Sequence, residues 1–465
     1  MTAIHMEQAL KYVSRQMDAF VSQLETFLRI PSVSTDANYR RDVLRGAEWL
    51  RNELLRIGIR EASLVDTPGH PIIFGKHGSD PSKPTVLCYG HYDVQPPEPY
   101  ELWNSPPFEP TRRNGKLYAR GSSDDKGQLF MQLKAVEAFM NTKGGMPVNL
   151  KFLFEGEEEV GSTNLANFVA NHKDLLAADV VLVCDTALFA PDVPSITSAL
   201  RGLAYVEVSF TGPSRDLHSG VYGGAVENPA NALAKLIAGL HDEKHRIAIE
   251  GFYDDVKPLT EEEREEYAAL PFDEADWKES IGIERTSTEA GYTVLECTTV
   301  RPTLDVNGFW SGYQGEGAKT VLPARATAKI STRLVPDQNM DDIVDKMRAH
   351  FQKHTPPTMK LDFRVLHGGS PIVVDTSSPA MRAASDAMEA VMGKKPVLTK
   401  EGGSIPVVAD FKNILGLDTI LMGFGLYTDS IHSPNEHFGL DRFEKGIRSL
   451  IHFFAYFGRL AGKSV

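Results

Sequence analysis

The spacing of hydrophobic and polar positions changes character along the chain. Residues Met6 to Leu28 carry helical spacing, and the short apolar run Pro84–Tyr89, with Val86, Leu87 and Cys88 inside it, reads as a buried strand. Between Asp124 and Thr142, Leu129, Leu133, Val136 and Met140 recur at i, i+4, i+7 and i+11, which predicts a helix with one apolar face. Asn149–Phe154 and Val180–Cys184 are again short and apolar. Strands alternating with helices predict a mostly parallel sheet covered on both faces.

From about Ile196 the period shortens. Tyr205–Phe210 alternates, and Ala324–Leu334 alternates strictly, with Ala326, Ala328 and Ile330 on one side and Thr327, Lys329 and Ser331 on the other. Pro229–Leu240 and the set Ile343, Val344, Met347 and Phe351 have helical spacing, and Leu361–Leu366 reads as a further strand. Half-polar strands with two amphipathic helices predict a small α+β domain whose sheet is open to solvent on one face. Between its parts, Tyr253 to Glu284 is acidic and weakly periodic and reads as surface helices. After Pro371 the α/β character returns, with a helix over Ala380–Met392 and an apolar strand over Leu417–Phe424. The fold class is therefore α/β: a discontinuous domain over residues 1–195 and 372–465, with an α+β domain over 196–371 inserted into it. A chain of 465 residues is long enough for two cores.

Composition narrows the function. Hydrophobic residues at 42% and charged residues at 24% describe a globular protein. Lys plus Arg count 49 against 62 Asp plus Glu, a net charge of −13, which argues against a nucleic-acid partner. Cys88, Cys184 and Cys297 contain no CxxC pair, so neither a disulfide framework nor a thiolate zinc site is expected; Cys88 and Cys184 read as core thiols. The first twenty residues lack an apolar h-region, and no segment approaches the ~20 apolar residues of a membrane span. A cytoplasmic location is the expectation.

Polar residues gather where the apolar strands end. Pro84–Tyr89 leads to His91 and Asp93, Asn149–Phe154 to Glu155, Glu157, Glu158 and Glu159, Val180–Cys184 to Asp185, and Leu417–Phe424, through a short loop, to His432. Asp124 and Asp125 open the helix after "ARGSSDDKG". Each feature alone has an ordinary reading: a helix cap, a turn, or a solvated glutamate run. Together, at the carboxyl edge of one sheet, these carboxylates would repel one another and lose hydration. Divalent cations would relieve both costs. Histidine and carboxylate donors without thiolates suit Zn²⁺, Mn²⁺ or Co²⁺ better than Ca²⁺.

The stretches "GHYDVQPP", "LYARGSSDDKG", "FEGEEEVGS", "CDT", "RDLHSGVYGG", "STRLVP", "HGGSP", "EGGSIP" and "SIHSPNEHF" resemble, in order and over almost the whole chain from Pro31, the M20 di-metal hydrolases, and within them the carnosinase-like dipeptidases. The resemblance implies two divalent metal ions per subunit, Zn²⁺ foremost. His91 and Asp185 would hold one and Glu159 and His432 the other, with Asp124 shared and the Asp124–Asp125 peptide cis. Asp93 would orient His91, since residues two apart in an extended stretch point the same way. Glu158 would be the general base; Glu157, which the family pattern does not usually carry, is expected to be exposed. His218 would reach the partner's active site in a homodimer and stabilise the oxyanion. Arg333 would bind the substrate's terminal carboxylate, and His367, Gly403 and Ser404 would position the substrate. The inserted domain would serve as a lid and dimerisation domain, closing about hinges near Ile196 and Pro371.

The expected activity is metal-dependent hydrolysis of dipeptides or very short peptides with a free C-terminal carboxylate. An N-acyl amino acid amidohydrolase, such as a deacylase or desuccinylase, a short-peptide carboxypeptidase, and a catalytically inactive peptide-binding protein are the alternatives.

Overall fold

A computed structural model describes residues 3–402 and 405–460. The chain forms two compact units. One comprises the chain up to Ser198, Val374–Thr399 and the chain from Val407; the other comprises Ala199–Val373 and Lys400–Pro406. The junctions thus lie after Ser198 and after Val373, against the expected 195/196 and 371/372. Lys400–Pro406, placed by sequence in the discontinuous domain, groups with the inserted unit. Arg201 is the physical reason: its N–H donates to the Glu401 carbonyl and its Nε to the Gly402 carbonyl.

In the first unit the sheet runs in the order Glu61–Val65, Ile72–His77, Asn149–Glu155, Thr85–His91, Val180–Val183, Thr419–Leu421, Ser195–Leu200. The four strands from Asn149–Glu155 to Thr419–Leu421 are parallel neighbours, and the strands flanking them are antiparallel. The centre of the sheet is therefore the parallel part, and its strands read as continuous apolar runs because both faces are covered. Val86 and Cys88 join the main core, while Tyr89 faces the opposite way and meets Phe411 of the helix Pro406–Leu415 edge-on at 5.5 Å. The expected strand over Leu417–Phe424 shortens to Thr419–Leu421. Past it, the Met422 N–H still donates to the Val183 carbonyl, and the N–H groups of Phe424 and Gly425 then turn to the Gln128 Oε1 atom.

The helix expected over Asp124–Thr142 spans Lys126–Met140 and departs from its pattern. Every residue from Lys126 to Phe139 is buried, not one face alone. Its polar side chains find internal partners: Gln132 donates to the Tyr89 carbonyl, and Lys134 donates to Glu53 and Glu137. Helices Ala3–Leu28 and Leu440–Leu460 pack against it.

The second unit has a four-stranded antiparallel sheet in the order Thr303–Ser311, Arg325–Leu334, Gly202–Thr211, Lys360–Gly369. Ala326, Ala328 and Ile330 join a separate core with Leu233 of the helix Pro229–Ala238 and Met347 of the helix Met340–His354. The helices Glu261–Ala269 and Glu274–Ile281 bury no residue, as surface helices should. Among the described residues no helix is long and apolar enough to cross a membrane.

Candidate metal centre

The four parallel strands end on one edge, and their carboxyl ends carry the candidate ligands. His91 is the last residue of Thr85–His91 and lies in register with Glu155, the last residue of its neighbour. Glu158 and Glu159 follow in the short 3₁₀ turn Glu158–Val160. Asp185 lies just beyond Val180–Val183. Asp124 immediately precedes Asp125, the N-cap of the buried helix, and the Asp124–Asp125 peptide is cis. His432 sits between the turn Tyr427–Asp429 and the strand His437–Gly439, with its backbone in the left-handed region at φ 57°.

These side chains converge into two groups, His91–Asp124–Asp185 and Asp124–Glu159–His432. His91 Nε2 lies 3.1 Å from Asp124 Oδ1 and 3.6 Å from Asp185 Oδ2. His432 Nε2 lies 2.9 Å from Asp124 Oδ2 and 3.3 Å from Glu159 Oε2. Asp124 thus turns one oxygen to each group. The first group is the more enclosed: the His91 side chain is 0% exposed and that of His432 is 54% exposed.

Asp93 organises the surroundings. The Nδ1 atom of His91 is 3.1 Å from the Asp93 carbonyl and 3.4 Å from its carboxylate. A proton on Nδ1 leaves the Nε2 lone pair turned towards the ligand group. The same carboxylate accepts Ser34 Oγ at 2.7 Å and the N–H groups of Glu159 at 3.1 Å and Glu158 at 3.3 Å. Gln95 Nε2 donates to Glu159 Oε2 at 2.7 Å.

The electrostatics show how crowded the carboxylates are. Burial, reinforced by the Asp124 charge, pushes Glu159 up to about 7. Burial also raises Glu158 well above the usual carboxylate range, with Asp185, Glu159 and Asp124 adding to it and His91 opposing. Asp185 is raised by burial and by Asp124. Hydrogen bonds to Asp124 and Glu159 lift His432 to about 10. Among the described residues Glu159 Oε1 is buried without a hydrogen-bond partner. Two imidazoles, three carboxylates and a buried unpaired oxygen fit a pair of divalent cations: positive charge there would offset the mutual repulsion and the lost hydration.

The remaining predicted residues fall as follows. Glu157 is not exposed: it is 7% accessible, and its carboxylate accepts the His70 N–H and Asn164 Nδ2. His70 comes from a loop 87 residues away and Asn164 from seven residues further on, so a run of glutamates hides a buried one. Glu158 is half-buried beside it. In the second unit, His218 is exposed, and its Nδ1 accepts the Gly220 N–H at 3.0 Å. Arg333 is half-buried in the strand Arg325–Leu334. His367 meets Tyr205 edge-on at 5.3 Å; partial burial and then the Arg333 charge hold it below its usual range. Gly403 and Ser404 lie outside the described residues. Sequence reasoning missed Gln95 and Glu436, which bond the Glu159 side chain and the Asp124 N–H, and Ser34 and Arg120, which bond Asp93 and Glu436 in turn. "SIHSPNEHF" contains Glu436, but as a motif it reads only as a turn.

A carboxylate common to two histidine–carboxylate groups, at the carboxyl edge of a mostly parallel sheet, defines a protein able to hold two divalent cations side by side. The pattern of peptidase family M20/M25/M40 matches residues 87–456, and the chain belongs to that family. It is similar to a Cys-Gly metallodipeptidase of Schizosaccharomyces pombe, 34% identical over 95% of this chain and 96% of the relative. The structure is similar to that of human carnosine dipeptidase 1, with a TM-score of 0.85 at 30% identity over 98% of this chain and 99% of the other. It is also similar to the M20 family metallo-carboxypeptidase Sso-CP2 from Sulfolobus solfataricus, with a TM-score of 0.86 at 33% identity over 95% and 99%.

Proposed function

We propose that the protein is a metal-dependent dipeptidase that hydrolyses the amide bond of dipeptides or very short peptides with a free C-terminal carboxylate. The observation that carries this reading is Asp124, one oxygen turned to each of two ligand groups, with Glu158 directly before Glu159 in the same 3₁₀ turn. His91 and Asp185 would hold one cation, Glu159 and His432 the other, and Asp124 would be common to both. When bound, two such cations polarise the scissile carbonyl and lower the pKa of water towards ~7. Glu158 takes the proton from the attacking water and passes it to the leaving amine, the shuttle a carboxylate beside the site can perform. Asp93 keeps His91 in the ligating tautomer and fixes the backbone of Glu158 and Glu159.

The second unit supplies substrate contacts and serves as the lid and dimerisation domain. Arg333 pairs with the terminal carboxylate, and His367, Gly403 and Ser404 position the peptide. His218 acts in the active site of a partner subunit. Its Nδ1 is occupied as an acceptor, so the proton of the neutral ring resides on Nε2, ready to donate to an oxyanion. Val221, 69% exposed, lies in the short helix Ser219–Tyr222 that His218 caps and supports a partner surface there. Zn²⁺ is the foremost metal, with Mn²⁺ or Co²⁺ as alternatives, and the free buried thiols Cys88 and Cys184 suit a cytoplasmic location.

The likeness to a metallo-carboxypeptidase favours a second reading, removal of C-terminal residues from longer peptides. A substrate panel separates the readings. The purified protein, stripped with a chelator and reloaded with Zn²⁺ or Mn²⁺, is assayed on Cys-Gly, carnosine, other dipeptides, tetrapeptides and N-acetyl and N-succinyl amino acids. Turnover confined to dipeptides, lost on chelation and restored by metal, is the expected result. Faster cleavage of tetrapeptides would favour the carboxypeptidase, and turnover of acyl amino acids alone an amidohydrolase. No turnover with any metal would leave a peptide-binding protein.

A further inference from the structure

Glu436 is 0% exposed and lies four residues beyond His432. Its carboxylate faces backbone on nearly every side. Oε1 accepts the N–H groups of Ser123 at 2.9 Å and Asp124 at 3.1 Å. Oε2 accepts the Gly121 N–H at 2.9 Å and Arg120 Nη1 at 2.8 Å. Arg120, 1% exposed, is anchored in turn through Nη2 to the Pro96 carbonyl at 3.1 Å, three residues beyond Asp93. The Ala119 N–H donates to the Glu436 carbonyl, so the tie between the two segments is made by main chain as well. The mechanism proposed above uses neither Glu436 nor Arg120.

We propose that Glu436, with Arg120 as its counter-ion, is a positioning residue: it clamps the backbone of Gly121–Asp124 against the His432 loop, so that Asp124 presents one oxygen to each ligand group. The inference rests on the reading of Asp124 as the shared metal ligand. Its physical basis is the acceptor count. A bridging carboxylate must hold both its position and its rotation, because a turn of the Asp124 main chain that improved one contact would spoil the other. Three N–H groups of one turn, converging on a single anion, fix that turn, and the guanidinium compensates the buried charge. Only a carboxylate offers two oxygens with about four acceptor sites. Glutamine has the same shape but turns an NH₂ group towards N–H donors on one side. Shape alone therefore does not substitute, which distinguishes a hydrogen-bonding clamp from packing.

The test compares the wild-type protein with Glu436→Gln and Arg120→Lys. Three quantities are read: Mn²⁺ stoichiometry and affinity by equilibrium dialysis against a competing chelator, helical content by circular dichroism, and hydrogen exchange at single amides. Glu436→Gln is expected to stay folded, to lose about 10–100-fold in Mn²⁺ affinity, the range for groups that orient metal ligands, and to exchange faster at Gly121, Ser123 and Asp124 while the helix Lys126–Met140 stays protected. Arg120→Lys is expected to shift affinity the same way by a smaller factor. Wild-type affinity and exchange in Glu436→Gln would overturn the clamp. So would rapid exchange at those three amides in the wild-type protein, a measurement that needs no variant to fold. If Glu436→Gln does not fold, unchanged affinity in Arg120→Lys would overturn it. A wild-type protein that bound no Mn²⁺ would instead remove the shared-ligand reading, and this inference with it.

Discussion

Three consecutive glutamates show how finely neighbouring residues can be separated by their surroundings. Glu159 brings an oxygen into a ligand group, Glu158 stands half-buried beside it, and Glu157 turns away to hold the His70 and Asn164 donors. Replacing each tests the division. Glu158→Gln should retain its metal and lose kcat by about 10²–10⁴-fold, the usual contribution of a general acid–base. Glu157→Ala should leave kcat nearly unchanged and cost about 1–3 kcal/mol of stability, because it strands buried donors. Metal analysis, steady-state kinetics and thermal melts read these outcomes; the reverse pattern would mean the two roles are exchanged. The pairing of His91 with Asp93 was legible in sequence, since an i, i+2 spacing on an extended stretch has a direct spatial meaning. Glu157 and Glu436 were not. Their partners include main-chain N–H groups remote in sequence, and such donors leave no mark on a side-chain pattern.

The elements carry the same lesson in their polar positions. The spacing of Leu129, Leu133, Val136 and Met140 identified a helix, but the residues between them suggested a solvated face that does not exist. Lys134 shows why. Its Nζ lies 2.5 Å from Glu53 and 2.8 Å from Glu137, so a buried ammonium is hydrogen-bonded on the inside of the protein. The chain leaves the ladder soon after Leu421: the Met422 N–H still donates to the Val183 carbonyl, but Gln128 of the same helix takes the Phe424 and Gly425 donors, and any side chain at Gly423 would meet the Thr186 carbonyl at 1.9 Å. Glu53 gives this cluster a pH signature. Burial is the largest influence and pushes its pKa up, but the hydrogen bonds and charges of Arg56 and Lys134 outweigh it, leaving the group below its ordinary 4.5. The unfolded chain therefore takes up this proton first as pH falls. The stabilisation is fully present above 4.5 and is lost as pH drops through the lower folded value. Lys134→Met leaves Glu53 and Glu137 sharing Arg56 as their remaining charged partner and should cost about 1–3 kcal/mol at neutral pH. It also raises the folded pKa of Glu53, so the acid-unfolding midpoint should move to higher pH. Denaturant titrations over a pH series check both, and an unshifted acid midpoint would count against the ion-pair account.

At the scale of the whole molecule, the change of hydrophobic period near Ile196 and its return after Pro371 marked an inserted unit, while the attachment of Lys400–Pro406 to that unit was invisible because Arg201 makes it through main-chain carbonyls. The proposed dimer has a consequence that neither unit has alone. If His218 acts only in the partner's site, Glu158→Gln and His218→Ala damage different halves of each composite site. Each variant homodimer lacks one group in both sites. A heterodimer has one site with both defects and one with none. Equal amounts of the two inactive variants, dissociated and allowed to pair at random, should therefore recover about a quarter of the wild-type kcat per chain, since half the dimers are mixed and half of their sites are whole. His218→Ala alone should bind metal normally and lose about 10²–10³-fold in kcat, the scale of a lost oxyanion donor. Activity that stayed at the sum of the two inactive variants, in a mixture shown by mass spectrometry to contain the heterodimer, would place His218 in its own subunit's site or outside catalysis. Full activity in a strict monomer would rule out the composite site directly.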